Sequence, residues 1–429
     1  MLRSLTRKQA RHVVEVVGSS GIPPEWGFQF FSAGLDTYLK VIEEDYLRSL
    51  IRDGGASFKV VVGTYGGGKT HFLYSVRELA FRNDYLVAYC PLSLNDSPFY
   101  RLDRVYRSVI SNLMRPLSPQ ELMTGAERGA ASFMKAVYQD LCEGLVADGL
   151  SGRELADRLK SVAQDASQSL ENPNFGRAVR LGLEALVDGS TDQFDRVLQY
   201  LLTDGFDRSV HRKMGILQPI DGGQAFSALR SLVAWIRNLK YRGLVILFDE
   251  AEQAGSLSAR QKEMMLSNLR EMVDQCGSAA FGNVMVFYAI PDEHFLTEGR
   301  SPAYEALKQR IRTVFDFNNP TGVKIRLDRL GRSPHRLMSE IGIRLAGIYE
   351  TAWKVEFPLE AKSDLVTLLA EAAARRSFGD IGYKRLFVQA VVRALHALRL
   401  DRDLEVNEEF ADRMLEPEVD QTVQEDPDA

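Results

Sequence analysis

Eight consecutive residues near the start of the chain have the types and spacing of a phosphate-binding loop. They fit the pattern GxxxxGK[ST] in full: Gly63-Thr64-Tyr65-Gly66-Gly67-Gly68-Lys69-Thr70. In such a loop the glycines let backbone N–H groups turn towards phosphate, the lysine reaches the β- and γ-phosphates, and the hydroxyl binds Mg²⁺. An apolar, β-branched run precedes the loop and a helical pattern follows it, which is the context that this chemistry needs. The motif therefore predicts a site for a nucleotide and Mg²⁺.

His71 follows the loop directly, and we group it with the nucleotide-binding candidates. We expect its side chain to lie on the surface of the following helix rather than to act in catalysis. Upstream of the loop, residues 26–31 (WGFQFF) are rich in aromatic side chains. These rings could form an adenine pocket, and a plain packing cluster is the alternative.

Two carboxylates end a second apolar run, residues 244–248. An aspartate in this place, Asp249, can bind the Mg²⁺ of a bound nucleotide. The next residue, Glu250, can then activate the attacking water as a general base. The alternative is a buried strand whose acidic residues cap the following helix. Together with the loop at 63–70, the Asp-Glu pair favours an ATPase that is capable of hydrolysis.

Weaker candidates come later in the chain. The apolar run Val284–Ile290 could present Tyr288 or Asp292 to the γ-phosphate, although most strand ends carry some polar residue. Arg310 and Arg312 share a predicted helix ahead of the last strand, where an arginine could reach a nucleotide in a neighbouring subunit. A solvated basic face explains these two arginines equally well.

Arg385 belongs to the segment GDIGYKR, residues 379–385, which opens a helix near the C-terminus. From there its guanidinium could fold back onto the phosphates. A capped helix with surface charge is the alternative interpretation of this segment.

The elements around these residues indicate an α/β fold with parallel strands. Strands are predicted at residues 58–63, 85–90, 244–248, 284–290 and 323–327, because these runs are apolar on both faces. Helices are predicted at 35–52 and from Lys69 to about Arg82, among others. The predicted organisation is an N-terminal segment with the first part of a P-loop core (1–97), a helical insertion (98–217), the second part of the core (218–333), a helical lid (334–400) and a partly disordered acidic tail (401–429).

The composition excludes several classes of protein. With 53 Lys and Arg against 58 Asp and Glu, the net charge is −5, so the chain does not hold nucleic acid by bulk positive charge. Cys90, Cys142 and Cys276 are far apart in sequence and predict neither a zinc pair nor a disulfide framework. The longest apolar runs have the length of strands and the N-terminus lacks a signal-peptide pattern, so we expect a soluble cytoplasmic protein without a membrane span.

The order of these motifs resembles that of an AAA+ ATPase. In finer detail the chain resembles the ATP-binding proteins of bacterial BREX phage-defence systems, in particular the BrxD group. The segments that carry this resemblance are residues 18–39, 61–73, 245–253 and 377–395. The helical insertion between the second strand and the Asp-Glu strand is also similar. The chain departs from the pattern at Val284–Ile290, a run that neither asparagine nor threonine follows directly.

The resemblance implies an AAA+ core with a parallel sheet, a helical insertion and a C-terminal helical lid. It also implies ATP and Mg²⁺ as ligands, a helicase encoded in the same system as partner, and contact with DNA directly or through that partner. The roles that carry over are phosphate and Mg²⁺ contacts for Lys69 and Thr70, the Mg²⁺ aspartate for Asp249, the base for Glu250 and the lid arginine for Arg385. If Arg310 or Arg312 acts on a neighbouring subunit, the protein must form a homo-oligomer.

Two functions of different classes are compatible with these residues. The first is a hydrolysing ATPase that couples its nucleotide state to a DNA-processing partner through movement of the lid. The second is a nucleotide-locked scaffold or switch, in which ATP is a structural ligand and turnover is slow or absent. A DNA binder of the origin-recognition type is disfavoured, because the residues beyond Leu400 are too few to form a winged-helix module.

Overall fold

The computed structural model describes residues 5–250, 257–278, 280–292, 296, 302–316, 319–328, 333–376 and 382–416. The chain forms two compact units, and each combines separate stretches of sequence. The first unit consists of Met1–Asp36, Thr64–His71 and Leu327–Ala429, and the second consists of Thr37–Gly63 and Phe72–Arg326. The second unit contains the sheet, and the first contains the phosphate-binding loop and the C-terminal helices.

Among the described residues, a six-stranded sheet runs through the second unit. Its strands are β1 Ala56–Val62, β2 Leu86–Pro91, β3 Leu113–Met114, β4 Leu244–Asp249, β5 Val284–Ile290 and β6 Lys324–Arg326. They lie in the order β3-β2-β4-β5-β1-β6, and every neighbouring pair is parallel except β2 with β3. The five predicted strands are confirmed to within two residues at each end, and with them the mostly parallel sheet.

The helices form on the apolar periodicity that the sequence shows. In chain order they are α1 Arg7–Ser20, α2 Asp36–Val41, α3 Lys69–Arg82, α4 Leu102–Ser111, α5 Pro119–Thr124, α6 Ala130–Ala147, α7 Gly152–Ser167, α8 Pro173–Asp188, α9 Thr191–Leu201, α10 Arg208–His211, α11 Ala225–Asn238, α12 Ala259–Gly277, α13 Pro302–Ile311, α14 Pro334–Trp353, α15 Leu359–Arg376, α16 Tyr383–Leu400 and α17 Glu408–Met414. A 3₁₀ turn lies at Phe28–Phe30, and a π-helix at Ile42–Leu50 continues α2. Within the described ranges, no helix is long and apolar enough to cross a lipid bilayer.

The parallel strands bring several candidate residues to one edge of the sheet. β5 lies between β1 and β4, and Val62 of β1 is paired with Ile290 of β5. The carboxyl ends of these three strands therefore share an edge, where Gly63 leaves β1 and Asp249 ends β4. The Gly63 N–H donates to the Ile290 carbonyl at 3.1 Å. Since β4 and β5 are buried along their whole length, this edge is fixed by core packing on both faces of the sheet.

The segment predicted as a helical insertion, residues 98–217, contains α4 to α10 and also the short strand β3. Helix α8 packs against both α7 and α9. Pro173 is the first residue of α8, a position where its missing N–H costs no hydrogen bond. The strand β3 was not predicted, because two residues are too few to show a periodic pattern.

In the first unit, the N-terminal helix α1 packs against α14 and α16. A capping box starts α1, in which the Thr6 hydroxyl accepts from the Gln9 N–H and the Gln9 side chain accepts from the Thr6 N–H. Gly21 ends the helix with φ of 63°, a left-handed conformation that glycine adopts without strain. The sequence did not predict this packing, because the apolar face of a helix does not specify which other helix covers it.

The segment from residue 401 onwards, predicted as an acidic tail, contains the helix α17 in its described part. The Asn407 side chain caps this helix by accepting from the Phe410 N–H at 2.9 Å. Phe410 and Ala411 are buried, and α17 packs against α15 and α16. The part of the predicted tail beyond Glu416 lies outside the described residues.

A lysine is buried in the middle of β1. Lys59 is 1% exposed, and its ammonium donates to the Tyr46 hydroxyl at 2.7 Å and to the Gly322 carbonyl at 2.6 Å. The π-helix places Tyr46 against this lysine, with the ammonium 4.3 Å from the ring centre. Burial lowers the pKa of Lys59 to about 7, since neutral acceptors and rings replace water only in part.

Lys59 should make the stability of the second unit depend on pH. The unfolded chain keeps a proton on this lysine up to about pH 10, whereas the folded chain releases it near pH 7. Between pH 7 and about pH 10 the unfolded state therefore binds more protons than the folded state. The contribution of Lys59 to the free energy of unfolding should rise over this range by up to ~1.4 kcal/mol per pH unit. We expect Lys59→Met to remove this rise, as measured by urea unfolding at pH 7, 8 and 9. The exposed Lys8→Met is the control, and parallel curves for wild type and Lys59→Met would contradict the prediction.

Candidate nucleotide-binding site

The phosphate-binding loop belongs to the first unit and leads directly into α3. Gly66 and Gly68 have φ of 67° and 98°, values that other residues adopt only with strain. The Gly67 N–H donates to the Thr64 carbonyl at 2.8 Å, and the same carbonyl accepts from the Lys69 ammonium at 3.3 Å. Lys69 is 6% exposed and is the first residue of α3. The backbone therefore takes up the tight turn that the glycine spacing predicts.

Residues at the start of α16 pack directly on this loop within the first unit. A Cβ atom at Gly66 would lie 2.7 Å from the Cα of Gly382, so Gly66 must be glycine for the two backbones to approach so closely. Gly382 favours glycine for a different reason, its φ of 105°. Arg385 donates through Nη1 to the Tyr65 hydroxyl at 2.8 Å and through Nε to the Ser20 carbonyl at 2.6 Å. The predicted lid arginine thus contacts the loop through Tyr65. The segment 379–381, which precedes it in the predicted motif, lies outside the described residues.

His71 is half-buried at the start of α3. Its Nε2 atom is hydrogen-bonded to the Ser32 hydroxyl. The rings of Phe28 and Phe31 meet the imidazole edge-on, with centroids 5.3 Å and 5.6 Å away. Burial, and to a lesser extent the charge of Lys384, lower the pKa of His71 to about 4, so the ring is neutral at pH 7. Phe28 and Phe31 therefore form a packing cluster around the start of α3.

In the second unit, Asp249 ends β4, and both oxygens of its carboxylate accept hydrogen bonds. The Tyr89 hydroxyl donates to Oδ2 at 2.7 Å and the Glu250 N–H donates to Oδ1 at 2.9 Å. Asp249 is 1% exposed. Tyr89 lies on β2, the strand next to β4 in the sheet. Burial and the Asp249 charge raise the pKa of Tyr89 well above its usual range, so its hydroxyl remains a donor. The carboxylate is thereby fixed in one orientation at the edge of the sheet.

Glu250 follows Asp249 in a left-handed backbone conformation with φ of 61°. A residue with a Cβ atom pays a conformational cost there, and such strain occurs often at functional sites. Glu250 is exposed and borders a shallow, largely apolar pocket that Phe99 and Tyr288 also line. The carboxylate is therefore accessible, in contrast to that of Asp249.

The weaker candidates are distributed over the rest of the second unit. Tyr288 is buried on the face of the sheet, with its ring 5.1 Å from that of Phe99, so it does not project from the end of β5. Asp292 lies beyond the strand and is exposed. Arg310 forms an ion pair with Asp274 of α12 and donates to the carbonyl one turn earlier in its own helix. Arg312 is exposed and follows the end of α13.

A comparison with protein families gives a match over nearly the whole chain. The family described as BREX system ATP-binding protein BrxC/D matches residues 5–414. The chain belongs to this family. No curated protein and no solved structure matches the chain. The resemblance to BREX ATP-binding proteins that the sequence motifs carry is therefore confirmed over nearly the whole chain.

The two oxygen donors predicted to bind Mg²⁺ belong to different units of this BrxC/D chain, Thr70 to the first and Asp249 to the second. The Thr70 hydroxyl and the Asp249 carboxylate are hard ligands of the kind that Mg²⁺ prefers. Over the described parts of the chain, no group of three or more His, Cys, Asp or Glu side chains is arranged to hold a metal ion. Mg²⁺ usually keeps several waters and binds through one or two protein oxygens together with substrate phosphates. When bound, the ion would neutralise charge that develops on those phosphates.

Tyr89 is a residue that sequence reasoning missed. One weak signal for it was present in the sequence, a hydroxyl within the apolar run of β2, the strand that pairs with β4. Its ring lies 5.2 Å from that of Tyr74, and the buried guanidinium of Arg77 lies 4.3 Å from the Tyr74 ring centre. A stack of side chains thus connects α3, the helix that begins at the phosphate-binding loop, with the hydroxyl that orients Asp249.

We expect Tyr89→Phe to raise the Mg²⁺ concentration needed for half-maximal nucleotide binding by about tenfold or more, because it removes the donor that fixes Oδ2. Titration of nucleotide binding at several Mg²⁺ concentrations measures this shift. Binding in EDTA should stay at the wild-type value. Tyr106→Phe is the matched control, since the buried Tyr106 hydroxyl has no hydrogen-bond partner in the described structure. Equal Mg²⁺ dependence in wild type and Tyr89→Phe would show that Tyr89 does not orient the ligand.

Proposed function

We propose that this BrxC/D-family protein is a Mg²⁺-dependent ATPase of AAA+ type that acts in the cytoplasm in BREX defence against phage. The observation that carries the proposal is the shared edge of the sheet. There, β1 leads into the phosphate-binding loop and β4 ends in Asp249 and Glu250, with one strand between them. Strands that end at one edge of a sheet can supply both the phosphate cradle and the Mg²⁺ carboxylate of a P-loop ATPase.

Each proposed role follows from the chemistry of the residue. The loop N–H groups and Lys69 bind the phosphates, and Thr70 and Asp249 bind Mg²⁺. Glu250 accepts a proton from water as the water oxygen attacks the γ-phosphorus. The bond from that phosphorus to the β–γ bridging oxygen breaks, and ADP and phosphate leave. Glu250 suits this task because its carboxylate is accessible, whereas the oxygens of Asp249 are already held in place.

The contacts between α16 and the loop support a link between nucleotide state and a partner. Arg385 and Lys384 bind the loop through Tyr65 and the Gly67 carbonyl, so a bound phosphate would compete with at least one of these contacts. We propose that this exchange moves the C-terminal helices and that a DNA-processing partner, such as a helicase of the same system, responds to the movement. Two arginines, Arg310 and Arg312, were predicted to reach the nucleotide of a neighbouring subunit in a homo-oligomer. We prefer Arg312 for this role, because Arg310 is paired with Asp274.

A nucleotide-locked scaffold is the second candidate function. The observation that favours it is that side chains of the same unit donate to the Thr64 and Gly67 carbonyls and to the Tyr65 hydroxyl, contacts that hold the loop in place. A scaffold needs ATP binding but not Glu250, whereas the ATPase needs both.

Measurement of ATP turnover by the purified full chain tests the proposal, with and without duplex or forked DNA. The ATPase predicts Mg²⁺-dependent release of phosphate that is stimulated by DNA or by the partner. Tight ATP binding without turnover under any of these conditions would overturn the ATPase and support the scaffold. Absence of ATP binding would overturn both.

A further inference from the structure

Two ammonium groups bind carbonyls of the same short loop. The Lys69 ammonium donates to the Thr64 carbonyl at 3.3 Å, and the Lys384 ammonium donates to the Gly67 carbonyl at 3.2 Å. The Gly67 N–H also donates to the Thr64 carbonyl, so the two acceptors belong to one tight turn. Lys69 is the expected phosphate ligand of this motif. Lys384, the second residue of α16, had no assigned role.

The surroundings of Lys384 suit an anion. Desolvation by burial lowers the pKa of Lys384, and the charge of Asp328 opposes this effect only in part. In the described part of the chain, no carboxylate is hydrogen-bonded to its ammonium, and the Gly67 carbonyl is its hydrogen-bond acceptor. An ammonium has three donors, and among the described residues only one hydrogen-bond acceptor, the Gly67 carbonyl, is within reach of it. A partly buried cation in this condition is costly unless a negative group neutralises it.

Arg385, the neighbouring cation, is engaged differently. Its guanidinium is bound to the Tyr65 hydroxyl and the Ser20 carbonyl, and its charged centre lies 5.9 Å from the Tyr65 ring centre. These contacts connect the N-terminal segment, the loop and α16. They give Arg385 a role in holding α16 against the loop. Of these two cations, Lys384 is therefore the better candidate to donate hydrogen bonds to a ligand.

We propose that Lys384, rather than Arg385, is the side chain of α16 that binds the β- or γ-phosphate of ATP. This inference rests on the proposed function of the loop as an ATP site. A phosphate oxygen would replace the Gly67 carbonyl as acceptor of the Lys384 ammonium, and the ion pair would offset the cost of burying the charge.

The test compares Lys384→Met with wild type in the full chain, by measuring Kd for ATP, ADP and AMP and the thermal midpoint with and without ATP. We expect Lys384→Met to weaken ATP binding about ten- to hundredfold and to leave AMP binding unchanged, because AMP lacks the β- and γ-phosphates. The midpoint without nucleotide should stay the same or rise, since an uncompensated buried cation has been removed. The rise of the midpoint on adding ATP should become smaller.

Four further variants make the result decisive. Lys384→Arg should restore most of the ATP affinity because it keeps the charge, and Lys384→Gln replaces the methionine variant if that one does not fold. Arg385→Met should lower the nucleotide-free midpoint, since it loses two hydrogen bonds, and should change ATP affinity less than Lys384→Met. Lys69→Ala reports separately on the loop.

Several outcomes would overturn the inference. If Lys69→Ala weakens ATP binding and Lys384→Met does not, the ATP site stands and the role of Lys384 is refuted. If Lys384→Met weakens ATP and AMP equally and lowers the nucleotide-free midpoint, Lys384 is a structural residue of the loop. If the wild-type chain binds no ATP, the proposed function fails and the inference fails with it.

Discussion

Replacement of Lys69 by alanine is expected to weaken ATP binding by about 30- to 1,000-fold. Removing one partner of a desolvated, hydrogen-bonded charge pair costs ~2–4 kcal/mol, and each 1.4 kcal/mol is a factor of ten in Kd. Lys69 meets the conditions for an effect of this size, because it is 6% exposed and starts the helix that follows the loop. Calorimetric titration with ATP, in the presence of Mg²⁺, measures the change directly.

The control for Lys69→Ala must separate loss of a ligand from loss of the loop. In the nucleotide-free chain Lys69 donates to the Thr64 carbonyl, so its removal lowers stability by the worth of one hydrogen bond, about 1 kcal/mol. The thermal midpoint without nucleotide should therefore shift only slightly. Lys8→Ala, an exposed lysine on α1, should leave both quantities unchanged. Wild-type affinity in Lys69→Ala would show that residues 63–70 are not the nucleotide site.

Glu250→Gln is expected to lower ATP turnover by about 10²- to 10⁴-fold, the usual contribution of a general base. Glutamine keeps the size of the side chain and the strained backbone at φ 61°, but it cannot accept the proton of the attacking water. ATP binding should persist, because Lys69, Thr70 and Asp249 are untouched. The variant should therefore accumulate with ATP bound, which single-turnover measurements with labelled ATP can detect.

Glu263→Gln is the matched control for this variant, since it neutralises another exposed carboxylate of the second unit. It should hydrolyse ATP at the wild-type rate. Equal turnover in wild type and Glu250→Gln would assign the base to a different residue. If the wild type has no turnover, and Glu250→Gln changes neither ATP binding nor partner binding, the scaffold is the better description.

The sequence by itself determined the parallel sheet and the identity of the strongest candidates. Runs such as Val284–Ile290 are apolar on both faces, and only a strand covered on both sides can bury them. The glycine spacing of residues 63–70 restricts the backbone so strongly that the turn in the structure follows from it. The pair Asp249-Glu250 was found by the same local logic, because a strand followed by two carboxylates is a short-range pattern. The membership in the BrxC/D family was likewise visible in local motifs.

The tertiary structure decided everything that depends on residues far apart in sequence. That Tyr89 orients Asp249, that His71 is enclosed by Phe28 and Phe31, and that Lys384 reaches the Gly67 carbonyl are contacts between segments separated by tens or hundreds of residues. The periodicity of apolar residues predicts which face of an element is buried, but it does not predict which groups that face contacts. The environment of a polar side chain, and with it its pKa and its remaining hydrogen-bonding capacity, is set by those non-local neighbours. For that reason the contacts of His71 could not be predicted from the sequence, and Lys384 was recognised only once the folded chain had brought it to the loop.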